Sequence, residues 1–123
     1  MINKPQTARE RGAAIEQLAA RWLAKQGLAL VSANYQIKGG ELDLIMKDGD
    51  TLVFVEVKHR ASARGGHPLE TVTPQKQRRL IRAASLYLAR HAVSTPCRFD
   101  ILAITGRPPA LEYHWEKAAF DAY

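Results

Sequence analysis

The stretch Gly40-Glu41-Leu42-Asp43-Leu44-Ile45-Met46-Lys47-Asp48-Gly49-Asp50-Thr51-Leu52-Val53-Phe54-Val55-Glu56-Val57-Lys58 holds two alternating runs around an Asp-Gly pair. Alternation with a period of two predicts strands over 41–47 and 51–58, and Asp48-Gly49 predicts a hairpin between them. In the first strand Leu42, Leu44 and Met46 share one face, while Glu41, Asp43 and Ile45 take the other. In the second, Val53, Val55 and Val57 oppose Leu52, Phe54, Glu56 and Lys58. With Asp48 and Gly49 as the loop, Lys47 faces Asp50, Asp43 faces Phe54 and Glu41 faces Glu56, so that Asp43 lies diagonal to Glu56. A strand inside a small α/β sheet is covered on both faces. Carboxylates there cost free energy unless they are paired, hydrated or bound to a metal. Like charges set opposite each other repel, and a divalent cation would relieve that repulsion.

Working outward, Thr7 to Gln26 reads as a helix. Thr7 and Glu10 have capping-box spacing, and Ile15, Leu18, Ala19, Trp22 and Leu23 form one apolar stripe ending at Gly27. Leu28 to about Gln36 supplies another strand. Arg60 to Val72, with Gly65, Gly66 and Pro68, reads as an exposed loop. Thr73-Pro74 then opens a second helix whose stripe is Leu80, Ile81, Ala84 and Leu88. Arg98 to Thr105 and the alternation of Leu111, Tyr113 and Trp115 give two further strands around a Gly-Arg-Pro-Pro turn. The order helix, three strands, helix, strand, strand predicts an α/β domain with a mixed sheet flanked by helices. The expected unit is the single span 1–123, with 1–6 and 117–123 as its flexible ends. Trp22, Tyr87 and Trp115 are read as packing residues, Cys97 as a small buried one, and Arg98 with Asp100 as a structural pair near the sheet end.

Composition narrows the functional classes. The 123-residue chain carries 18 basic and 12 acidic residues, a net charge of +6. The excess is local: Val57 to Phe99 contains nine basic residues and one acid, Glu70. Such a segment is either a solvated surface or a face for a polyanion. A single cysteine precludes an internal disulfide and suits a reducing, cytoplasmic setting. No apolar run approaches the ~20 residues that span a bilayer, and no membrane partner is expected. The four histidines lack paired ligand spacing, which argues against a Cys/His zinc site.

Gly40-Glu41-Leu42-Asp43-Leu44-Ile45 followed by Val53-Phe54-Val55-Glu56-Val57-Lys58 resembles the PD-(D/E)xK nuclease superfamily. It looks closest to the archaeal Holliday junction resolvase branch. More narrowly, the chain is similar to the YraN family of small bacterial proteins from about Arg11 to Tyr113, including Pro68-Leu69-Glu70, Thr73-Pro74 and Arg98-Phe99-Asp100. The resemblance implies a restriction-endonuclease-like αβββαβ core with an extra C-terminal strand. It implies Asp43 and Glu56 as ligands of Mg²⁺ or Mn²⁺, and Lys58 as the lysine of the half-motif. It also implies Glu16 as an acid on the first helix that joins the site. Glu16 lies at the edge of the apolar stripe, from where it can reach the sheet. Glu41 is either an assisting ligand or a structural residue. The proline that often precedes the aspartate is replaced by Leu42.

Asp, Glu and hard cations with a nearby lysine form a set suited to phosphodiester hydrolysis. The leading expectation is therefore a metal-dependent endonuclease-fold protein acting on branched or damaged DNA, with DNA favoured over RNA. Arg60, Arg64, Lys76, Arg79 and Arg82 are the candidate phosphate contacts, giving affinity without sequence information. One site per small chain makes a homodimer the expected partner arrangement for cutting two strands. The alternatives are a nucleic-acid-binding module of the same fold without useful catalysis, and a protein-interaction adaptor meeting an acidic partner.

Overall fold

A computed structural model describes residues 7–62 and 72–121. Helix α1 (Ala8–Lys25) is followed by strands β1 (Ala29–Ile37), β2 (Gly40–Asp48) and β3 (Thr51–Arg60), helix α2 (Pro74–Arg90), and strands β4 (Cys97–Arg107) and β5 (Ala110–Phe120). The Thr7 hydroxyl accepts from the Glu10 N–H and the reciprocal arm of the capping box is present. Gly27 follows the helix at φ +103°, where a side chain would be strained. Thr73 caps α2 and Pro74 begins it.

The five strands form one sheet in chain order. The β1/β2, β2/β3 and β4/β5 pairs are antiparallel, and β3/β4 is parallel. A parallel pair needs a crossover, and α2 supplies it. This is the expected α/β architecture: a mixed sheet with two flanking helices, an αβββαβ core and a C-terminal strand. Alternation sends Leu44, Met46, Val53, Val55, Leu102 and Ile104 to one face, against Ala19 and Leu23 of α1. Ile45, Leu52, Phe54 and Phe99 go to the other, against Leu80, Ala83, Ala84 and Tyr87 of α2. The two helices therefore sit on opposite faces. Among the described residues no helix is long and apolar enough to cross a membrane.

Three local expectations are corrected. The hairpin loop is Gly49-Asp50, with Asp48 paired to Thr51, so the β2/β3 register moves by two residues. Gly49, at φ +59°, takes the first loop position, the place a type II′ turn gives to glycine. The shift keeps every side chain on its face, yet its continuation sets Asp43 across from Glu56 rather than Phe54. Second, the alternation of β2 slips at Asp43: Leu42 joins Ile45 on the α2 side instead of Leu44 and Met46. Third, Cys97 is exposed; it begins β4 at the rim of the sheet. In addition, β5 continues to Phe120, whose ring stacks on Phe99 at 4.8 Å.

Asp100 holds β5 in place. Its carboxylate is fully buried and accepts from Arg98 Nε at 3.0 Å, Trp115 Nε1 at 2.9 Å and the Ala118 N–H at 2.9 Å. Arg98 reaches on to Asp48 at 3.0 Å, tying β4 to the hairpin end of β2. A buried carboxylate with this many donors is stable only as a set. Asp100→Ala is expected to lower the unfolding free energy by about 3–5 kcal/mol in urea titrations, because it leaves the Trp115 and Ala118 N–H donors without an acceptor and takes from Arg98 one of its two carboxylates. A loss below about 1 kcal/mol would show that these bonds do not hold the strand.

Candidate functional site

The site forms where the β2/β3 ladder stops. Backbone pairing runs from Asp48–Thr51 to Leu44–Val55. One step beyond, the Asp43 carboxylate accepts the Val57 N–H at 2.9 Å. A side-chain oxygen has taken the place of a ladder carbonyl.

Glu16 of α1 and Glu41 of β2 meet Asp43 at this gap, with carboxylate oxygens from all three within 4.8 Å of one another. Glu56, buried beside them, is not part of that trio. Its Oε1 accepts from Lys76 Nζ of α2 at 2.7 Å and stands 4.0 Å from Lys58 Nζ. The arrangement is two adjoining half-sites: three acids on the α1 side, and an acid with two lysines on the α2 side.

Burial and mutual repulsion set the charge state. Burial, then Glu56, raise the Asp43 pKa to about 8, against the lowering effect of the Val57 N–H. Burial, then Glu41 and Glu56, raise Glu16 to about 7. Both Asp43 and Glu16 are thus pushed toward the protonated form near neutral pH. Burial and the adjacent Lys76 ammonium lower Lys58, while Glu56 and Asp43 pull the other way. For Lys76, burial would lower the pKa, but contact with Glu56 outweighs it and the net shift is upward.

The carboxylates lie at the junction of three concavities. One of about 660 Å³ lies along α1 and takes in Glu16 and Asp43. One of about 280 Å³ runs under α2, with Glu41, Asp43, Glu56, Lys76 and Arg79 on its walls. A third, of about 460 Å³, lies between α1 and β1 beside Glu16 and Glu41.

Residues 15–104 match the family described as Uncharacterised protein family UPF0102. The chain belongs to the UPF0102 family. It is 56% identical over 123 residues to a UPF0102 protein of Chromohalobacter salexigens, covering 100% of both chains. It is 48% identical to one of Herminiimonas arsenicoxydans over 98% of this chain and 95% of that protein. It is also 48% identical to one of Klebsiella pneumoniae over 94% and 89% respectively. The match agrees with the YraN-like resemblance. The matched UPF0102 span contains every acid of the site and all five of the expected phosphate contacts.

The sequence expectation and the structure meet unevenly. Glu16 and Asp43 come together as expected, joined by Glu41. Glu56 and Lys58 share the face assigned to them. Lys76, expected on phosphate, is turned inward onto Glu56; its place two residues after Pro74, in the first turn of α2, is the only sequence signal for that. Arg79 reaches the α2 groove, Arg82 is exposed on α2, and Arg60 is exposed at the end of β3. Arg64 lies outside the described residues. Arg11, His59 and Arg107 stand around the concavity along α1, and no spacing in the sequence marks them.

The raised acids carry a pH signature. Their folded-state values, about 8 and 7, exceed the ordinary 3.8 and 4.5. The folded protein therefore binds more protons than the unfolded chain between those limits. The resulting stabilisation is complete at low pH and is lost as pH rises through the folded values. The melting temperature in EDTA is expected to fall by roughly 5–10 °C from pH 5 to pH 8.5, and Asp43→Asn, which keeps an acceptor for Val57, to flatten most of that slope. A flat or rising wild-type profile would contradict the crowding of these acids.

Proposed function

We propose that this UPF0102 protein is a metal-dependent nuclease of the PD-(D/E)xK type that hydrolyses phosphodiester bonds in structured DNA. The observation that supports it most is the convergence of Glu16, Glu41 and Asp43 within 4.8 Å beside Glu56 and Lys58. An ion with oxygen ligands at about 2.1 Å brings opposed ligand atoms to about 4.2 Å. The trio fits such an ion with a small contraction, and its all-oxygen donor set favours Mg²⁺ or Mn²⁺ over zinc. When bound, the cation supplies Lewis-acid polarisation of the scissile phosphoryl group.

The chain's own groups do the rest. Asp43, anchored by the Val57 N–H, fixes where the phosphate must sit. Glu16 brings α1 to the same point. Lys58, 4.0 Å from Glu56, is placed to orient an attacking water or the scissile phosphate, and Lys76 to offset charge that develops on phosphate oxygens. Arg79 and Arg82 along α2, with Arg60 at the strand end, offer contacts to the backbone on either side. One site per chain cuts one strand, so paired cuts would call for two copies.

A second reading, a binding module without useful catalysis, draws on the 2.7 Å Lys76–Glu56 pair, which gives Glu56 a cation of its own. Cleavage decides between them. Branched, single-stranded and duplex DNA are incubated with Mn²⁺ and wild-type protein or Asp43→Ala. The nuclease reading expects cutting that requires Mn²⁺ and falls by about 10²-fold or more in the variant. Identical residual cutting by the two proteins would sink it.

A further inference from the structure

The largest concavity, about 660 Å³, has no part in the chemistry outlined for the lysine half of the site, yet Glu16 and Asp43 form one end of it. Its size is that of a pocket for a compact organic ligand. Its interior is apolar: Ile15 and Leu18 of α1 and Val57 of β3 are half-buried along it. Its mouth is cationic and polar: Arg11, His59 and Arg107 are exposed around it. The wall opposite α1 is fixed by a cross-link from β3 to β4, in which His59 Nε2 lies 2.8 Å from the Gly106 carbonyl. A carbonyl only accepts, so Nε2 carries the proton and the imidazole is held across the end of the sheet. Gly106 itself must be glycine. It sits at φ +107°, and a Cβ would collide with the Ala110 carbonyl oxygen.

An occupant of this space needs a flat or compact apolar body, an attached anion for the mouth, and a position next to the carboxylates. We infer that the cavity receives a single unpaired nucleotide, its base against Ile15, Leu18 and Val57 and its flanking phosphate at Arg107 and Arg11. This rests on the phosphodiester-cleaving reading of the site and names its substrate more narrowly: DNA with an extruded or unpaired nucleotide next to the bond to be cut. A base in a continuous duplex has both faces stacked and its edge bonded, so it cannot enter, whereas an unpaired one enters at little cost.

The test is binding of the full chain in EDTA to two duplexes, one fully paired and one carrying a single unpaired 2-aminopurine nucleotide. Wild-type protein is expected to hold the second about tenfold tighter, which removal of roughly 60 Å² of apolar surface from water supplies. Ala14 also lines the cavity, and Ala14→Phe and Leu18→Trp, which fill it, are expected to bring that ratio to about one while changing paired-duplex affinity less than about twofold. Arg107→Ala, on an exposed turn away from the core, is expected to lower the ratio about threefold or more. Arg79→Ala should weaken both duplexes equally and leave the ratio intact. Equal wild-type affinity for the two duplexes overturns the inference, as does a ratio untouched by Arg107→Ala and by whichever filled variants keep the wild-type circular dichroism spectrum. With no metal present, the ratio is separate from cleavage. A tenfold ratio without Mn²⁺-dependent cutting supports the pocket and removes only the nuclease reading, and cutting with a ratio of one removes only the pocket.

Discussion

Four carboxylates, Glu16, Glu41, Asp43 and Glu56, crowd the point where β2 and β3 part, and two lysines answer them. Repulsion among these acids, of which Glu56 is buried, Glu16 and Asp43 are half-buried and Glu41 is exposed, is the constraint around which the rest is arranged. Asp43 escapes part of it by accepting a backbone N–H and Glu56 by pairing with Lys76, while the pKa values of Asp43 and Glu16 are raised. None of these removes the crowding, which a divalent cation would do.

The fold makes that crowding unavoidable. Two apolar clusters clamp the sheet from opposite sides through α1 and α2. Ala19 and Leu23 seat α1 so that Glu16, one turn before Ala19, falls at the open end of the hairpin. The parallel β3/β4 pair requires α2 as a crossover, and the first turn of that helix delivers Lys76 to Glu56. On β4, in register with Val55, the Asp100 bonds to Arg98, Trp115 and Ala118 fix β5 against β4, the strand pair whose turn walls the large cavity. Packing, crossover and buried hydrogen bonds all converge on the placement of a few charged groups.

Most of the architecture could be read from residue patterns because it depends on periodicity. The stripe from Ile15 to Leu23, the alternation of Val53 to Val57 and the Thr73-Pro74 start of α2 each have local causes, and each element formed where those causes lie. The errors arose where a tertiary choice overrode a local one. Asp48-Gly49 was read as the loop, but the glycine's positive φ suits the first loop position and moved the pairing by two residues. Leu42 left its alternation beyond Leu44, where the pairing of β2 with β3 ends. Parity survived the register error, which is why Asp43, Glu56 and Lys58 were still found near one another. Lys76 could not be assigned: whether a cation in the first turn of a crossover helix points to solvent or inward depends on how that helix lands on the sheet. The cavity along α1 was equally invisible, since its lining comes from α1, β3 and the β4/β5 turn, segments far apart in the chain.

The central claim is that Glu16, Glu41 and Asp43 are the ligands of a single divalent ion. The most direct measurement is anomalous diffraction from crystals grown with Mn²⁺. The expected result is one strong manganese peak bonded to Glu16, Glu41 and Asp43, absent from Asp43→Asn crystals grown in the same way. A map without manganese among these carboxylates at saturating Mn²⁺, with Lys76 still on Glu56, would contradict it.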